Sequence, residues 1–150
     1  MTDDQGCDRE QERRPLGLNL LTGLYAFFFL VTFSTVGHPF PFMGRVYTGS
    51  VAQTLVFMDS LISLYLVIGL VKRQCLTWFF LMGYNLLEIG NTVVNLIAIT
   101  PAELERFVGE RVDGQGVLLN NLIVVLLILL LTQFIHRHKG YFTNRRLLLF

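Results

Sequence analysis

Four apolar stretches of about twenty residues each, separated by short charged or Gly/Pro-rich segments, constrain this chain more than any other feature. A helix needs about 20 apolar residues to cross a hydrocarbon core of roughly 30 Å. The stretches fall at about 16–36, 50–71, 75–99 and 117–135. They predict an all-α integral membrane protein with four antiparallel transmembrane helices. The composition agrees: of 150 residues, 53% are hydrophobic and 15% charged, against about 25% charged in soluble domains. The charges also lie mostly at the ends and in the connections.

Lys and Arg set the orientation. With both termini cytoplasmic, Arg9, Arg13, Arg14, Lys72, Arg73, Arg137, Lys139, Arg145 and Arg146 lie inside, and only Arg45, Arg106 and Arg111 lie outside. Nine against three is the bias expected of a multi-pass plasma (inner) membrane protein. Residues 1–15 are acidic and lack aliphatic side chains, which predicts a disordered cytoplasmic tail. Residues 136–150 mix basic and apolar side chains. There Arg137, Lys139, Arg145 and Arg146 suit the headgroups of anionic lipids at the cytoplasmic face. The basic residues are too few for a nucleic-acid surface. Cys7 and Cys75 both fall on the reducing side, with no companion at metal-ligand spacing, so neither a disulfide nor a zinc site is expected.

The connections carry their own signals. Gly37-His-Pro-Phe-Pro-Phe-Met-Gly44 cannot continue a helix and reads as an aromatic outer loop. Lys72-Arg73-Gln74 is so short that the second and third spans should be antiparallel neighbours. Thr100-Pro101-Ala102-Glu103 has the form of a capping box with Pro at the first helical position. It predicts a short outer-face helix over about 101–112, seated on the bilayer by Phe107 and Val108 and closed by Asp113-Gly114-Gln115-Gly116. Trp78 reads as an interface anchor. The aromatic run of Tyr25, Phe27, Phe28 and Phe29 reads as bulky packing. The fourth span, almost wholly Leu, Ile and Val after Asn120 and Asn121, reads as a lipid-facing brace.

The third span differs from the rest. At about 100° per residue, Thr77, Tyr84, Asn85, Glu88, Asn91, Thr92 and Asn95 share roughly 120° of arc, opposite Met82, Leu86, Leu87, Val93, Val94 and Ile97. On the second span, Ser60, Ser63 and Gln53 share an arc with Asp59. Asp59 and Glu88 are the carboxylates inside the spans, and no Lys or Arg lies there to pair with them. A charge at such a depth costs about 2.5 kcal/mol or more, so the pair marks a functional candidate. At 1.5 Å per residue Asp59 sits about 14 Å below Ser50 and Glu88 about 18 Å below Thr100. Two carboxylates at one depth in low dielectric cannot both ionise cheaply. Hydrogen bonds from Tyr84, Asn85, Asn91, Thr92, Ser60 and Ser63 would make their burial tolerable.

Three readings follow for the centre formed by Glu88, Asp59, Asn85, Tyr84, Asn91, Thr92, Asn95, Ser60 and Ser63. The acids bind a proton, a metal cation or an amine, as in a small transporter working as a homo-oligomer. Alternatively they pair with a basic residue in a partner membrane subunit, which makes the chain an accessory protein. In the third reading they form a hydrogen-bonded network that fixes helix packing. No HExxH, nucleophile elbow, phosphate-binding glycine loop or paired haem ligand is present, so neither an enzyme nor a resident cofactor is expected. A lipid-modifying enzyme with Asp59 and Glu88 as acid and base is the weakest reading.

Overall fold

The computed structural model describes residues 15–109, 111–142 and 144. The tail before Pro15 with Cys7, the side chain of Val108, and Arg145 and Arg146 lie outside them. The fold is mostly helical, in the order α1 (Leu16–Ser34), β1 (Phe40–Phe42), β2 (Arg45–Tyr47), α2 (Gly49–Val71), α3 (Cys75–Ala98), α4 (Pro101–Val108) and α5 (Gly114–Arg137). A short 3₁₀ turn, Lys139–Tyr141, follows. By length and composition α1, α2 and α5 can cross a membrane. The 24-residue α3 is not among them, because Asn85, Glu88, Asn91 and Asn95 interrupt its apolar sequence.

The helix ends follow local chemistry. Thr100 Oγ1 accepts the Glu103 amide at 3.3 Å and Pro101 opens α4, as the capping pattern predicts. The helix is shorter than the expected 101–112. It stops at Gly109, whose φ of 77° is a left-handed C-terminal geometry that glycine adopts without steric penalty. Asp113 does not close this helix but begins the next. Its two carboxylate oxygens accept the amides of Gln115 and Gly116, each at 3.1 Å, which brings the start of α5 forward to Gly114.

The aromatic loop is also more ordered than expected. It folds as a two-stranded hairpin pairing Phe40 with Tyr47, Pro41 with Val46 and Phe42 with Arg45. Its tip is Met43-Gly44, with φ of 47° and 79°, the pair of positive angles that a tight two-residue hairpin requires.

The helices pack chiefly as two pairs, α1 with α2 and α3 with α5. The second and third spans do meet beside their tight turn, but α2 packs mainly on α1. The α2–α3 approach depends on Gly69, since a Cβ there would run into the Thr77 side chain. Leu18, Leu21, Tyr25, Leu66, Leu70, Trp78, Leu81, Ile135 and Phe142 form a core at this end. Trp78 is thus buried rather than an exposed anchor. Its indole N–H donates to the Ile135 carbonyl at 3.2 Å, and Lys139 Nζ lies 4.5 Å from the ring centroid. The chain after α5 returns to the turn, where Cys75 N donates to Asn144 O at 2.8 Å and Asn144 N to Arg73 O at 3.0 Å.

On α3 the amphipathic reading holds. Leu86, Leu87, Val93, Val94 and Ile97 are exposed, while Thr77, Asn85 and Asn91 are buried. Its polar face meets the rest of the protein.

Candidate functional site

Glu88, Asn91, Thr92 and Asn95 lie at i, i+3, i+4 and i+7, so one face of α3 presents all four side chains. This face forms one wall of a half-open cavity of about 310 Å³. Asp59 of α2, Thr32 of α1 and Asn121 of α5 also line it. At the hairpin end the lining changes to Phe40, Pro41, Leu96, Ile99, Leu104 and Val117. The cavity therefore carries its two carboxyls away from the hairpin and most of its apolar lining near the hairpin and α4, with Asn95 and Asn121 among it. Asp59 and Glu88 line the same cavity, and among the described residues none that lines it is basic.

The Asp59 carboxyl is held by its surroundings. Tyr84 Oη donates to Asp59 Oδ1 at 2.9 Å and lies 3.3 Å from Ser63 Oγ. Thr32 lines the cavity together with Asp59. Thr92 Oγ1 donates back to the Glu88 carbonyl at 2.8 Å, which fixes the hydroxyl on the same face one turn away. The other two members of the face hold the hairpin. Asn91 Oδ1 accepts the Met43 amide at 2.8 Å, and Asn95 Oδ1 accepts the Gly44 amide at 2.7 Å. Asn95 Nδ2 also donates to Pro41 O and to Asn91 Oδ1, each at 3.2 Å. Two asparagines one turn apart thus satisfy the two turn amides that face α3.

The structure divides the nine residues expected at the centre. Asp59, Glu88, Asn91, Thr92 and Asn95 line the cavity, and Tyr84 and Ser63 support Asp59 from beside it. Asn85 belongs to a second network. It accepts from Tyr25 Oη at 2.6 Å and donates to Thr132 Oγ1 at 3.0 Å, so one side chain links α1, α3 and α5. Ser60 Oγ is buried and has no hydrogen-bond partner among the described residues.

Sequence reasoning missed Thr32, Asn121, Tyr25 and Thr132. They are scattered along two largely apolar helices, α1 and α5, where no periodic polar face announces them. A polar residue inside a span facing protein rather than lipid is the one signal available. At the other end of the helices, Arg137 and Lys139 are exposed. Cys75 is a free thiol. No group of three or more His, Cys, Asp or Glu residues is assembled among the described residues. Comparison of the chain with family models, characterised proteins and solved structures finds no significant match.

Proposed function

We propose that this chain is a four-helix membrane protein, with both termini cytoplasmic, that receives a positively charged group in the cavity between Asp59 and Glu88. The single observation that carries this reading is the lining: two carboxyls and, among the described residues, no basic side chain around one cavity. Buried acids in an apolar setting are costly unless a counter-charge or hydrogen bonds meet them. Here an open side gives such a counter-charge a way in.

Counting α3 as a span, alongside α1, α2 and α5, rests on its two unlike faces. The apolar side is exposed, and the polar side is matched by the hairpin, by Asp59 and by Thr132. Intramembrane polar residues that face protein are tolerated for this reason. The hairpin and α4 then lie on the outer side.

The role is binding, either of a small cation or of a basic side chain from a partner subunit. Coupled transport is the second reading. Against it stands the packing beyond the cavity floor, where Leu21, Leu66, Leu70 and Leu81 fill the opposite end of the protein. A translocation path would require these residues to separate.

The test is a pair of variants. Glu88→Gln keeps the shape and most hydrogen bonds but removes the charge, and Glu88→Leu removes both. Loss of cation binding or of partner assembly in both variants supports the proposal. Retention in Glu88→Gln with loss in Glu88→Leu assigns the network a packing role instead.

A further inference from the structure

The cavity is longer than a lone inorganic ion needs, and its two ends differ in chemistry. Along α3 the lining runs from Glu88 to Leu96, eight residue steps, or about 12 Å of helix. Its charged floor is Asp59 and Glu88, with the hydroxyls of Thr32 and Thr92 close by. Toward the hairpin and α4 the lining adds Phe40, Pro41, Leu96, Ile99, Leu104 and Val117, with Asn95 and Asn121 beside them. Phe40 comes from the hairpin and Leu104 from α4, so both extramembrane elements contribute apolar surface to it.

The floor is a poor cage for a divalent metal. Calcium takes six to eight oxygens, and transition metals favour sites rich in His or Cys. The side-chain oxygens of Asn91 and Asn95 already accept backbone amides of the hairpin. An ammonium group asks for less. It has up to three donors, which two carboxyls and a threonine hydroxyl can accept, and its alkyl stem would lie along the apolar side chains near the hairpin and α4.

Resting on the carboxylate reading above, we infer that the ligand is an organic ammonium with an extended apolar stem, its charge between Asp59 and Glu88 and its stem against Phe40 and Leu104.

The test uses the full chain in nanodiscs, with empty nanodiscs subtracted, and isothermal titration of n-hexylammonium, methylammonium, potassium and neutral hexanol. The expected result is saturable one-site binding of hexylammonium, at least tenfold tighter than methylammonium and potassium. Phe40→Ser and Leu104→Asn should each weaken hexylammonium about tenfold and leave methylammonium unchanged, which also reports that the variants are folded. If hexylammonium binds no tighter than methylammonium or potassium while all depend on Glu88, the stem site is wrong and the carboxylate reading stands. If hexanol binds as well as hexylammonium, or no cation binds, the carboxylate reading itself falls.

Discussion

Tyr84 Oη donates a 2.9 Å hydrogen bond to Asp59 Oδ1, and this contact joins α3 to α2 at the level of the cavity floor. The two residues are separated by 25 positions in the chain and come from helices whose main partners lie elsewhere. The hydroxyl therefore sets where the Asp59 carboxyl points as well as helping to hold the two helix pairs together.

Tyr84→Phe should lower stability by about 1–2 kcal/mol, because it leaves a half-buried carboxyl oxygen without its donor. Thermal unfolding in mild detergent would read this as a Tm drop of several degrees, and cation affinity should fall with it. An unchanged Tm would mean that water replaces the hydroxyl freely.

At the turn end, Gly69→Ala should cost about 1–3 kcal/mol, since the added methyl meets Thr77. Thr77→Ala in the same chain should recover part of the loss, giving a measurable coupling between the two sites. Additive effects would show that the helices separate rather than clash.

On the hairpin, Asn95→Leu removes the acceptor of the Gly44 amide. Hydrogen exchange at Gly44 should rise by at least tenfold in this variant, with exchange in the middle of α2 unchanged. Gly44→Ala should be worse, because a φ of 79° strains an alanine and its Cβ would crowd Ala98. Protection that persists in both variants would show that the strand pairing alone holds the turn.

The proposed orientation has its own check. Cys75 should react with a membrane-impermeant thiol reagent only after the membrane is opened. Labelling in intact cells would reverse the topology and place the hairpin inside.

How much of this was legible in the sequence depends on what carries the information. The long helices, the Thr100 cap and the shared depth of Asp59 and Glu88 come from period and rise, which are local. The polar face of α3 is local too, and it placed Glu88, Asn91, Thr92 and Asn95 correctly on one wall. The same arc included Asn85, yet its side chain serves a different network with Tyr25 and Thr132. An arc gives direction and not partner. The pairing of α2 with α1 was hidden for a related reason: a short turn forces two helices to meet at one end only, and side-chain packing decides the rest. The hairpin was hidden because Met43 adopts a positive φ that its residue type does not advertise. Its turn amides depend on asparagines nearly fifty residues away.

The central claim is that Asp59 and Glu88 act on one bound charge, and a double-mutant cycle on cation affinity tests it most directly. Hexylammonium binding would be measured for Asp59→Asn, Glu88→Gln and the double variant. If both carboxyls hold the same ligand, each single change should lose most of the affinity and the double change should lose little more. Losses that simply add would place the two acids in independent sites. Affinities that none of the changes moves would remove the carboxyl pair from binding altogether.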